Sequence, residues 1–154
     1  MSAIETKLAE LGVTLPDAPA PAANYVPFVV AGDLVHVSGQ IAADADGMIK
    51  GKLGDDMTAE EGAAAAKTCA ISLLAQLKSA CGGDIDRLVR VVKLVGFVNS
   101  TPDFGDQPKV INGFSDLMVE VFGEKGKHAR SAVGMGSLPS NIALEIEVIV
   151  ELNE

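Results

Sequence analysis

RLVRVVKLVGFVNS, residues 87–100, is the stretch whose reading decides the fold. Its density of β-branched residues marks a strand. Val89, Val91, Val95 and Phe97 are read on one face and Leu88, Val92, Leu94 and Val98 on the other. A strand that is apolar on both faces needs cover on both. The chain on either side of it reads as helix. Towards the N-terminus, Thr58-Ala59-Glu60-Glu61 is a capping box that opens a helix running to about Ala80, with Ala66, Ala70, Leu73, Leu74, Leu77 and Cys81 on its apolar side. Towards the C-terminus, Val110, Ile111, Phe114, Leu117, Met118, Val121 and Phe122 follow helical spacing from Pro108 until Gly123.

The rest of the chain reads mainly as strands. FVVAGDLVHVSGQI is a hairpin turning at Ala31-Gly32-Asp33. Gly47 falls in a loop, and MIKGKLG adds a short edge strand. Residues 129–135 form a strand, and 143–152 alternate cleanly, Leu144, Ile146, Val148, Val150 and Leu152 against Glu145, Glu147, Ile149 and Glu151. At the N-terminus, Ser2 and Glu5 have capping-box spacing and predict a helix over about 3–11, followed by a Pro-rich extended lead-in. The order ββ(β)αβαββ predicts an α+β domain, a mixed sheet with two long helices on one face. Two helices leave the other face wet, a larger patch than monomers usually tolerate, so self-association through it is expected.

Composition narrows the function. At 154 residues and 48% hydrophobic content, the chain suits one globular core. No apolar run approaches a membrane span, and the N-terminus lacks the pattern of a signal peptide, so a cytoplasmic protein is expected. Twelve basic against 21 acidic residues leave a net charge of −9, which repels nucleic acid and anionic membranes. An anionic ligand must then be caught at short range by a particular cation. Cys69 and Cys81 lie on one predicted helix and are too far apart to pair, and with only His36 and His128 present no metal site is expected within one chain.

Four segments together resemble the RidA/YjgF family, also called L-PSP or YjgF-like proteins. VSGQI at 37–41 is similar to its second-strand signature, RVVKLVGFVNSTPDF to its central strand and following turn, VINGFSDLMVEVFG to its second helix, and HARSAV…LPSNIALEIEVIV to its C-terminal signature. The resemblance covers about 20–152 and divides the chain into a helix and lead-in, 1–19, and a YjgF-like domain, 20–154. It implies a chorismate-mutase-like fold, a trimer whose sheets meet in a central barrel, and clefts at the subunit interfaces. It also implies hydrolysis of 2-imino or 2-amino-enoic acids to 2-oxo acids and ammonia, without a cofactor. Some members are called endoribonucleases or translation inhibitors.

By the same resemblance, Arg130 matches a carboxylate-binding arginine and Glu145 the acid linked to the attacking water. Tyr25, Ser38 and Gly39 match cleft-lining positions, and Asn112 a polar helix residue facing the cleft across the interface. Ala132 stands where the deaminase branch has Cys, so only its backbone carbonyl could contribute. The extra N-terminal helix, with a slightly longer stretch between Asn112 and Arg130, resembles a longer subgroup labelled endoribonuclease L-PSP-like.

Each residue also has a plainer reading. Arg130 could pair with Glu145 or Glu147 of the adjacent strand, Glu145 could decorate a wet face, Tyr25 could pack, and Asn112 could be an ordinary helix residue. A small-carboxylate-binding trimer without catalysis is the alternative to the hydrolase. A ribonuclease is disfavoured by the charge and by an aromatic content of 4%.

Overall fold

The computed structural model of the chain describes residues 1–21 and 23–153, so residue 154, the expected end of the domain, lies outside it. The element order is α1 (Ala3–Glu10), β1 (Phe28–Ala31), β2 (Leu34–Ile41), β3 (Ala43–Asp44), β4 (Gly47–Met48), α2 (Ala59–Ala80), β5 (Leu88–Asn99), α3 (Gln107–Phe122), β6 (Ala129–Met135) and β7 (Leu144–Leu152). This is the mixed α+β architecture expected. β1, β2, β7, β5 and β6 form one sheet in that order, antiparallel except for the β5–β6 pair.

Both N-terminal caps form as read. Thr58 Oγ1 accepts from the Glu61 N–H while the Glu61 carboxylate accepts from the Thr58 N–H, and Ser2 with Glu5 does the same for α1. α3 starts with Pro108 in its first turn and is closed by Gly123 at φ 62. α2 lies over β2 and β7, α3 over β5 and β6, and the two helices pack on each other. Their approach is close because Gly113 faces the Ala63 backbone; a Cβ there would lie 2.7 Å from the Ala63 carbonyl carbon.

Cross-strand register fixes the faces of the sheet. Val37, Val148, Leu94 and Arg130 form one row on the helix-covered face, and Gln40, Ile146, Gly96 and Ala132 form the next. The opposite face carries the row Ile41, Glu145, Phe97 and Val133 and the row His36, Ile149, Lys93 and Ala129.

Three local expectations are corrected. Register shifts at Val89 and Val92 break the alternation of β5. They place Val91, fully buried, with Leu94 and Val98 on the helix side, rather than with Val95 and Phe97. Gly47 belongs to a strand, paired with Asp44 in a two-residue hairpin. Of MIKGKLG only Met48 lies in a strand, paired with Ala43 in that hairpin, and the rest contributes isolated bridges from Lys50 to Ile142 and from Leu53 to Met57 and Ser100 rather than an edge strand of the main sheet.

α1 docks on the same core. Leu8 is 3% exposed, Asp86 accepts from the N–H groups of Ala3 and Ile4 at 2.8 and 3.0 Å, and Lys78 pairs with Glu5 at 2.7 Å. Cys69 and Cys81 are buried free thiols, and burial pushes both thiol pKa values up. Among the described residues no helix is long and apolar enough to cross a membrane.

Candidate functional site

β1 covers β2 only as far as Val37; beyond it a bulge at Ser38-Gly39 leaves the strand edge open. A cleft of about 570 Å³ opens along that edge. Its polar rim includes Ser38, Gln40, Gln76, Ser140 and Glu145, and Tyr25 stands at it half-exposed. The lead-in forms one wall, held by two bonds: Gln76 Nε2 donates to the Pro19 carbonyl at 2.6 Å, and Ser38 Oγ donates to the Val26 carbonyl at 2.7 Å. The opposite wall comes from the turn before β7, where Ser140 and Asn141 both take φ 56. Lys52 Nζ ties that turn down by donating to the Gly136 carbonyl at 2.6 Å and to Asn99 Oδ1 at 3.2 Å. Left-handed non-glycine backbone of this kind persists only where its surroundings hold it.

Glu145 is the acidic side chain on the cleft rim. Its side chain lies across Gly39, so a Cβ at that position would meet the carboxylate. Gly39 therefore makes room for Glu145 as well as exposing its own backbone. Among the described residues the Glu145 carboxylate is in no ion pair and accepts no hydrogen bond from a side chain or from a turn or loop N–H. Burial raises its pKa, and the negative charge of Glu147, two residues along on the same face, adds to the effect. The residues lining the cleft include no Lys, Arg or His, so one chain offers an anion in it no cation.

Arg130 lies elsewhere. It projects from β6, an edge of the sheet, on the helix-covered face. Its Nη1 donates to Asn112 Oδ1 at 2.8 Å and to Ser115 Oγ at 3.1 Å, and Nη2 donates to the Pro108 carbonyl at 3.4 Å. All three acceptors are neutral. The pairing considered with Glu145 or Glu147 does not form, because β5 separates β6 from β7. A guanidinium has five N–H donors. With those three engaged, Nε–H has no acceptor among the described residues and Nη2 has only the long contact to Pro108, so the Nε/Nη2 side is the least engaged side for a fork to a carboxylate.

The residues singled out in the sequence thus fall into two groups. Tyr25, Ser38, Gly39 and Glu145 meet in the cleft, while Asn112, Ala132 and Arg130 gather at the β6 edge, Ala132 two residues beyond Arg130 on the same face. Within one chain Arg130 and Glu145 project from opposite faces of the sheet. Sequence reasoning missed Gln40, Gln76 and Ser140 in the first group and Ser115 and His128 beside the second. The polar Gln76 within an apolar helix, only 2% exposed, was the one signal available for them.

Comparison with known proteins gives a consistent picture. Residues 5–152 match the family model described as YjgF/chorismate_mutase-like, putative endoribonuclease. The chain is similar to Protein TCP17 of Trypanosoma cruzi, 49% identical over 152 residues that cover 97% of this chain and 94% of that protein. It is also similar to the crystal structure of a putative endoribonuclease from Shewanella oneidensis, with a TM-score of 0.93, 33% identity, and coverage of 98% and 100%. A 2-iminobutanoate/2-iminopropanoate deaminase of Dermatophagoides farinae is 29% identical over 140 residues, 90% of this chain and 93% of that one.

Proposed function

The chain belongs to the YjgF/chorismate_mutase-like family, and from that premise we propose that it hydrolyses 2-imino and 2-amino-enoic acids to 2-oxo acids and ammonia, in sites that neighbouring copies of a homotrimer build together. The observation that carries the proposal is a pair of complementary deficits. Arg130 has a carboxylate-binding edge and no acid, whereas the cleft has an unpaired acid and no cation. Opposite faces of one sheet cannot unite them, but two copies can.

The chemistry follows from those groups. The Nε/Nη2 edge of Arg130 grips the substrate carboxylate in two parallel hydrogen bonds and so fixes which face of the C=N bond meets the cleft. An enamine substrate first takes a proton on carbon and becomes the imine. The Glu145 carboxylate removes a proton from water as the water oxygen bonds to the imine carbon, and the nitrogen takes a proton from solvent to give an amino alcohol. Glu145 then returns its proton to the nitrogen, the C–N bond breaks with its electron pair leaving on nitrogen while the hydroxyl proton passes to water, and a 2-oxo acid and ammonia leave. A raised carboxyl pKa suits a group that must both accept and return a proton. The deaminase of Dermatophagoides farinae lends this reading support by its name. A ribonuclease would need cations along a strand path, and the net charge of −9 and the cation-free cleft speak against it.

The test is ammonia release from imino acids generated in situ by an amino-acid oxidase. The protein is expected to accelerate release at least ten-fold, and Arg130→Ala to abolish the acceleration. An unchanged rate in that variant would remove Arg130 as the anchor. Binding of 2-oxobutanoate by the wild type without faster ammonia release would replace the hydrolase with a non-catalytic carboxylate-binding trimer.

A further inference from the structure

His128, one position before the strand that carries Arg130, is half-buried against α3, and the proposed chemistry does not use it. Its Nδ1 lies 2.6 Å from the Gly126 carbonyl oxygen and its Nε2 2.9 Å from Ser115 Oγ. A carbonyl oxygen can only accept, so Nδ1 carries the proton. Burial and the Arg130 charge both lower the His128 pKa, with the Gly126 bond opposing them. The ring is therefore neutral near pH 7, and its Nε2 is an acceptor. The Ser115 hydroxyl must then donate to Nε2, which turns its lone pairs to Arg130 Nη1 at 3.1 Å. Each link has one polarity, running from Arg130 through Ser115 to His128, while His128 Nδ1–H is pinned to the Gly126 carbonyl.

The other charged groups nearby are engaged or turned outward. Lys127 pairs with Glu124 at 2.6 Å, Arg90 of β5 donates to the Lys127 carbonyl at 3.4 Å, and Asp116 beside Ser115 is exposed and in no ion pair among the described residues. None of them supplies Arg130 with a counter-charge. What Ser115 and Asn112 do instead is engage Nη1, the back of the guanidinium, and leave the Nε/Nη2 side with only the long contact from Nη2 to the Pro108 carbonyl at 3.4 Å.

We infer that Ser115 and His128 are positioning residues that act in series to hold Arg130 with its carboxylate-binding edge outward. The inference rests on the reading of Arg130 as the substrate anchor. A group that only aims an anchor changes binding of the carboxylate more than the chemical step. Two groups acting through one hydroxyl are also non-additive.

The experiment is titration calorimetry of the whole protein with 2-oxobutanoate, alongside steady-state ammonia release. Ser115→Ala and His128→Phe, the latter keeping a ring but no acceptor, are each expected to weaken binding by roughly 3- to 10-fold, the loss of one oriented hydrogen bond. KM should rise more than kcat falls. The double variant should bind no more weakly than either single one, and Ser115→Thr, which restores a hydroxyl, should recover most of the affinity. Nitrogen-15 shifts of His128 should report the Nδ1-protonated tautomer in the wild type. Wild-type affinity in both single variants, while Arg130→Ala no longer binds, would overturn the inference and leave the anchor standing. Additive losses would overturn it as well. Undiminished binding by Arg130→Ala would take the anchor and the inference down together.

Discussion

A carboxyl that is half-buried, beside another acid and without a cation, is held in its charged form only against a free-energy penalty, and Glu145 is in that position. Its folded-state pKa lies above the unfolded value, so the folded chain binds this proton more tightly. The penalty is therefore fully present above the folded pKa, and stability returns as pH falls through it. Glu145→Gln is expected to raise the melting temperature at pH 7–8 by roughly 1–4 °C, with a difference that shrinks towards pH 5, while ammonia release falls by about 100-fold or more. Thermal unfolding across pH, paired with the rate assay, checks this. A variant that is less stable than wild type at pH 8 would mean the carboxylate has a partner in the folded protein. Motif order in the sequence was enough to single out Arg130 and Glu145. The pairing of Ser115 with His128 was not legible, because it is a contact between residues 13 positions apart that no periodicity marks.

Among the elements, legibility followed the contrast between faces. β7 alternates acids with aliphatics, so its phase is unambiguous and the structure agrees with it residue by residue. β5 is aliphatic on both sides, so nothing in its sequence marks the two residues where the alternation slips. β3 and β4 are two residues each, too short to show a period. The helices were readable from caps and spacing, but their close crossing was not, since it depends on Gly113 meeting the Ala63 backbone. That contact carries a prediction. A Cβ at 113 would lie 3.0 Å from the Ala63 Cα, where backbone on both sides resists movement. Gly113→Ala is expected to destabilise by about 1–3 kcal/mol despite the better helix propensity of Ala. A lowered urea midpoint with an unchanged slope checks this. A gain in stability would show that α2 and α3 can separate freely.

At the scale of the whole molecule, the sheet acts as a partition. Helices cover the face from which Arg130 projects, and Glu145 stands on the other, so the two groups that the proposed hydrolysis uses lie on opposite sides of each chain. Self-association is expected from an apolar strand lacking cover, and the division of the site in the proposed function supplies a second reason for it. The bare face of this chain is less apolar than that expectation required, since His36, Lys93, Glu147 and Glu151 share it with Val95, Phe97 and Ile149. Such a mixed surface fits an interface that sets the register between copies as well as burying area.

Mixing two dead variants tests this division directly. Arg130→Ala and Glu145→Gln chains, each inactive alone, are co-expressed so that they assemble at random, and ammonia release is measured on the purified mixed oligomers. If each site takes its arginine from one copy and its glutamate from another, about one quarter of the sites are intact and about a quarter of wild-type activity returns. Mixed oligomers that form and stay inactive would contradict a site shared between copies.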